Sequence, residues 1–119
     1  MARETITIER EGTFAVRWTH SHAKQCGSYG SNVFHFRVAI KGSAARMNKN
    51  GWFIDNNDIP AYFKRVYGRV RDFVSCENVV RNACRDFAAF CGKQGSHPEK
   101  ITVSIQGIAG SWITCEWEG

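Results

Sequence analysis

No stretch of the chain approaches the ~18 consecutive apolar residues of a membrane-spanning helix, so helical membrane insertion is not expected. The start, Met-Ala-Arg-Glu-Thr, runs into alternating residues instead of an apolar signal core, so no secretory segment is expected. The five cysteines, Cys26, Cys76, Cys84, Cys91 and Cys115, are odd in number and contain no CxxC pair. Neither a disulfide framework nor a zinc ribbon fits, and reduced thiols in the cytoplasm are expected. There is no internal repeat, low-complexity run or linker, which leaves one domain over residues 1–119. Ribonucleoprotein signatures are missing and the basic residues are scattered, so nucleic acid is not the expected partner.

What is present describes a globular domain. Apolar residues make up 43% and charged residues 23% of the 119 positions, a balance that excludes intrinsic disorder. A chain of this length buries roughly two thirds of its unfolded surface, enough for one core. Sixteen Lys and Arg against eleven Asp and Glu give a net charge of +5, which favours an anionic partner. The densest basic group, Lys64, Arg65, Arg69 and Arg71, reads as the solvated face of a helix.

Thr5 to Glu9 alternates as Thr-Ile-Thr-Ile-Glu, which predicts a half-buried strand with Ile6 and Ile8 inward. Glu11-Gly12 reads as a turn or bulge, after which Phe14, Val16 and Trp18 resume the alternation. A polar loop, Thr19 to Asn32, holds His20 and His22. Phe34, Phe36, Val38 and Ile40 then alternate with His35, Arg37 and Lys41 in a second strand, closed by Gly42. Asp58, two residues before Pro60, supplies a helix N-cap. Ile59, Phe63, Val66, Val70 and Phe73 form the apolar stripe of that helix, which Gly68 weakens. Ser75 caps a second helix with Cys76, Val80, Ala83, Cys84, Phe87 and Cys91 on one face, and Gly92 closes it. Most of the cysteines are thereby core residues. Ile101, Val103 and Ile105 mark a third strand that reaches Gln106, and Gly107 and Gly110 bracket a turn. Ser111 to Glu118 alternates Ile113, Cys115 and Trp117 against Trp112, Thr114 and Glu116.

The order ββααββ predicts an α+β domain, a four-stranded antiparallel sheet with two helices on one face. Trp18, Trp112 and Trp117 put aromatics on the sheet's faces, and two edge strands need cover. A homo-oligomer is expected, with Trp112 and Trp117 as candidate interface residues.

This order, with Gln25-Cys26-Gly27 before strand two, Gly51-Trp52-Phe53-Ile54-Asp55 before helix one and Ser75-Cys76-Glu77-Asn78 opening helix two, resembles the 6-pyruvoyl-tetrahydropterin and 6-carboxytetrahydropterin synthases. The resemblance runs from about Thr13 to Glu118 and implies the tunnelling fold, whose subunits join their sheets into a barrel and bind planar pterins or purines at subunit interfaces. The departures are as informative as the matches. The family's zinc histidines fall on Gly30 and Asn32, and the third on Trp18 or, with a small shift, His20. The family's Asp-His element between the helices is missing, since Arg71-Asp72-Phe73-Val74 leads straight to Ser75. The glutamate that grips the pterin edge is replaced by Gln106.

Of the acid–base equipment only Cys26 remains. As a nucleophile or base it would need its pKa lowered by a neighbour such as Lys24 or His22; the other reading is a structural loop cysteine. His20 and His22, joined by Cys26 or His35, compose an alternative metal site; the other reading is loop histidines in water. Neither zinc nor another cofactor is expected.

Gln106 carries the functional reading. A carboxylate accepts two N–H bonds and suits the donor-donor edge of a pterin or guanine, whereas a carboxamide offers one acceptor and one donor. Adenine presents such a pair at N6 and N7. The resemblance adds that other tunnelling-fold members hold urate-type rings with a glutamine. The other reading is a sheet-end glutamine with no ligand. Asn56 and Trp52 are the candidate pocket neighbours, and Arg37 a candidate phosphate contact. The expected function is non-catalytic binding of a purine-like nucleotide at subunit interfaces, as a sensor or a sponge; a viral protein that soaks up host defence nucleotides is one such setting. The alternative is a pterin synthase-type lyase with a rearranged metal site.

Overall fold

The structure, a computed structural model, describes residues 4–18, 30–68, 76–106 and 110–119. Its elements are β1 (Thr5–Trp18), β2 (Gly30–Ser43), a short 3-10 turn (Ala44–Arg46), α1 (Asp58–Tyr67), α2 (Cys76–Lys93), β3 (Lys100–Gln106) and β4 (Trp112–Glu118). The strands form one antiparallel sheet in the order β1-β2-β3-β4. Helix α1 packs against β1, and α2 against β3 and β4. The expected α+β architecture is the observed one. No helix among the described residues is long and apolar enough to cross a membrane.

Strand alternation decides which face the helices cover. Phe34, Phe36, Val38 and Ile40 of β2 and Ile101, Val103 and Ile105 of β3 are all buried. Phe14 joins them from β1, and Ile113, Cys115 and Trp117 from β4 pack against the same cluster. Trp117 therefore turns toward the helix layer, while Trp112 on the opposite face stays 41% exposed.

The heart of the core is aromatic. Phe63 of α1 stacks on Phe36 at 4.4 Å and on Phe14 at 5.0 Å between ring centroids, and Tyr62 meets Phe87 of α2 at 4.6 Å. Such pairs contribute about 0.5–1.5 kcal/mol each beyond their burial. Ser96, fully buried, donates its hydroxyl to the Phe53 carbonyl at 2.6 Å, tying the end of α2 to the β2–α1 connection.

Several local expectations are corrected. Glu11-Gly12 is neither turn nor bulge: β1 pairs with β2 residue for residue from Thr5 opposite Ser43 to Trp18 opposite Gly30. A glycine serves there because the Phe36 ring occupies the space of a Gly12 Cβ, 2.7 Å from its ideal position. Asp58 is the first residue of α1; Asn57 is its N-cap residue, and the Asp55 carboxylate accepts the Asn57 N–H at 2.9 Å. Gly92 lies inside α2, and the left-handed glycine that follows the helix is Gly95, at φ +82°. Residues 30–32, expected in a loop, begin β2. The buried stripe of α1 comprises Ile59, Tyr62, Phe63 and Tyr67, with Val66 half-buried. Val70, Phe73, Ser75, Arg69, Arg71 and Gly107 lie outside the described residues.

Candidate functional site on the open sheet face

The face of the sheet turned away from the helices carries a cluster of polar and aromatic side chains. Register brings Thr13, His35, Gln106 and Trp112, one from each strand, into a row across the sheet. The next row holds Glu11, Arg37, Ser104 and Thr114. Together they line an open depression, whose walls include Glu11, Thr13, His35, Arg37, Gln106 and Trp112. Here an indole, a guanidinium, an imidazole, a carboxylate and a carboxamide share two adjacent rows across the sheet.

Two side chains in this depression are oriented by polar contacts. Arg37 donates its Nε to Glu11 Oε1 at 2.8 Å, and its Cζ lies 4.4 Å from the centroid of the Trp112 ring. The Arg37 and Glu11 side chains are 54% and 67% exposed, so their ion pair contributes no more than about 1 kcal/mol. Gln106 donates Nε2 to the Gly110 carbonyl at 2.7 Å, across the β3–β4 connection. Its Oε1 and second N–H have no other partner among the described residues. In the second row, Ser104 and Thr114 share a hydroxyl hydrogen bond at 2.7 Å.

Away from this face, burial keeps several acids of the core neutral. Burial, helped by the neighbouring Cys115 thiol, pushes the Cys84 thiol up to about 12. Burial likewise raises Cys91. These sulfurs stay protonated and inert near neutral pH, as expected for core cysteines. A narrow crevice between α1 and α2, with Asp58, Arg65 and Phe90 on its walls, is closed from below by Tyr62 and Phe87. Tyr62 donates to Asp86 Oδ2 at 2.6 Å, and burial first, then this bond, holds its phenol far above the ordinary range.

Of the ligand residues expected from sequence, the structure brings Gln106 and Arg37 together. It does not bring Trp52 and Asn56 to them. Trp52 is bonded to Asn48 at the end of the sheet where Phe53 abuts Gly42, and Asn56 lies just before α1. His35 and Gln106 are six residues along β2 and β3 from the Lys41–Lys100 pair at that end, about 20 Å at the usual strand rise. Glu11, Thr13 and Trp112 were not expected at the site. Their signal is the register of the sheet, which sets partners as far apart in sequence as Glu11 and Arg37.

No family model matches the chain, and no curated protein does. Solved structures do. A catalytic-residue mutant of Plasmodium vivax 6-pyruvoyltetrahydropterin synthase superposes with a TM-score of 0.64 at 7% identity, covering 98% of this chain and 99% of that one. The Plasmodium falciparum 6-pyruvoyl tetrahydropterin synthase gives 0.60 at 8% identity, over 97% and 99%. The Caenorhabditis elegans 6-pyruvoyl tetrahydropterin synthase gives 0.55 at 15% identity, over 100% and 99%. The chain shares the fold of the 6-pyruvoyl tetrahydropterin synthases. At these identities the likeness is one of fold.

Zinc is the metal that a pterin-synthase resemblance implies, and the donors at the corresponding positions do not suit it. Register sets Trp18 opposite Gly30 and Asn32 opposite Val16 at the far end of the β1–β2 hairpin. Of the positions on which the family's histidines fall, Gly30, Asn32 and Trp18 supply none of the imidazole, thiolate or carboxylate ligands that zinc takes, and only the shifted alternative, His20, would. Among the described residues no group of three or more His, Cys, Asp and Glu is placed to hold a metal. His20, His22 and Cys26 lie outside the described residues.

Proposed function

We propose that this pterin-synthase-like domain binds, without transforming, a planar purine-like heterocycle in the depression on the open sheet face, and so sequesters or senses it. The observation that carries this reading is the position of Gln106. Its carboxamide is anchored by Gly110 beside the exposed Trp112, with one acceptor and one N–H left over. That pair complements a ring edge offering one donor and one acceptor, such as N6 and N7 of adenine or an edge of a urate-type ring. Trp112 supplies an aromatic surface against which such a ring stacks. In this reading Trp52 and Asn56 reach a ligand only from a second copy of the chain.

Calorimetry with adenine and guanine nucleotides on the natural protein and on Gln106→Glu tests it. Adenine is expected to bind in preference to guanine, and the substitution to weaken adenine by about 1–3 kcal/mol, because a second acceptor then faces the ring-nitrogen lone pair. The carboxylate also faces the Gly110 carbonyl, so a thermal melt of the variant accompanies the titration. A preference unchanged by Gln106→Glu means that Gln106 only staples the β3–β4 connection.

The shared fold supports a second reading, a pterin synthase-type lyase with a rearranged metal site. Zinc-dependent formation of 6-pyruvoyltetrahydropterin by the purified protein would establish it.

A further inference from the structure

Trp112 is the exposed aromatic ring of the proposed site, and one of its faces is taken. The Arg37 guanidinium lies over it at 4.4 Å, steered there by the bond from its Nε to Glu11. A planar ring that stacks on this face has to displace the guanidinium. The two contacts that hold Arg37 are both open to solvent, hence weak, and its terminal Nη groups have no partner among the described residues. Once displaced, Arg37 remains a cation with a planar fork of donors, at the rim of the same depression.

Resting on the purine-binding reading above, we infer that Arg37 is a removable cap on Trp112 that transfers to an anionic substituent of the incoming ring, so that the ligand is a purine-like nucleoside phosphate and not a free base or nucleoside. Loss of the cap opposes binding of every ring. Only a ligand that carries a phosphate gives the guanidinium a new and stronger partner, since Arg–phosphate bonds are charge-assisted and bidentate. Glu11 acts through Arg37: it positions the cap and, as a carboxylate at the rim, competes with the phosphate for the same donors. The two charges also discriminate by sign. Arg37 favours an anion, Glu11 opposes one, and an uncharged nucleoside is indifferent to both except through the cap.

The test is titration of adenosine and adenosine 5′-monophosphate into the natural protein and three variants. The natural protein is expected to bind the monophosphate at least about tenfold more tightly than adenosine, the size of one charge-assisted contact. In Arg37→Gln that preference disappears, while adenosine binds as well as before or better, because the cap is gone. Arg37→Lys keeps part of the preference, having the charge without the fork. Glu11→Gln tightens the monophosphate more than adenosine, because it removes the carboxylate that competes with the phosphate but only loosens the cap for the nucleoside. A merely structural role for Glu11 does not produce that difference between the two ligands. If adenosine and its monophosphate bind the natural protein equally, or Arg37→Gln weakens both alike, the cap is overturned while ring binding stands. If neither ligand binds the natural protein, the purine reading fails and the inference falls with it.

Discussion

Gly12 of β1 sits directly opposite Phe36 of β2, and the Phe36 ring lies where a side chain on Gly12 would begin. That ring is itself buried and stacked on Phe63 at 4.4 Å, so it has nowhere to retreat. Gly12→Ala is therefore expected to destabilise the fold by about 1–3 kcal/mol through overpacking. Gly92→Ala is the matched control. Gly92 lies in the last turn of α2 with nothing within 4 Å of an added Cβ, so alanine there should stabilise by up to about 1 kcal/mol through helix propensity. Urea unfolding of the two variants should move the midpoint in opposite directions.

Much of this architecture is legible in the sequence, for a definite reason. A strand with one covered face must alternate, and Phe34, Phe36, Val38 and Ile40 leave no other assignment for β2. The signal fails at Gly12, because a glycine in a strand and a glycine in a turn look alike until the ring above it is seen. It also fails at Gly92 and Gly95, where two glycines three residues apart compete for the helix end and only the φ of +82° picks Gly95. The candidate site was half legible. Arg37 and Gln106 are chemically suggestive on their own, but Glu11 and Trp112 join them only through register between strands distant in sequence. Trp52 and Asn56 were placed by adjacency to helix one, and adjacency carries no information about which end of the sheet a connection occupies.

Alkaline pH should destabilise the domain through acids that the fold keeps neutral. Cys84 is pushed up to about 12 from an ordinary value of 9.0, and burial raises Tyr62, Tyr67 and Cys91 as well. Between the ordinary and the raised values the unfolded chain releases protons that the folded chain retains, so stability falls as pH rises. The contribution is complete below about pH 9 and is lost progressively toward pH 12. Urea unfolding at pH 8 and at pH 10.5 should show this loss, and Tyr62→Phe should make it smaller. Equal stability at the two pH values would contradict the assignment.

An oligomer is expected from the sheet's edges. Among the described residues the outer edges of β1, 14 residues long, and of β4 have no strand partner, and β3 covers β2 only from His35 to Lys41. An unpaired edge of this length is a ready template for pairing with another chain. Trp112 remains the candidate interface residue on the open face, whereas Trp117 is engaged with the helix layer. A monodisperse monomer at micromolar concentration in light scattering would overturn this expectation.

The final prediction concerns metal. A zinc site needs three or four imidazole, thiolate or carboxylate donors converging on one point. The hairpin register places Trp18, Gly30, Asn32 and Val16 at the end of the β1–β2 ladder, and none of these side chains is such a donor. His35 stands on the open face among Thr13, Gln106 and Trp112, with Glu11 engaged by Arg37, so it too lacks a donor cluster among the described residues. Protein purified without added metal should contain zinc far below one ion per chain by elemental analysis. Its melting temperature should also be unchanged by a chelator, since a bound ion would raise stability by mass action. Near-stoichiometric zinc would defeat both expectations and direct attention to His20, His22 and Cys26. Loss of the metal in His20→Ala or His22→Ala would then identify those residues as its ligands and bring the lyase reading forward.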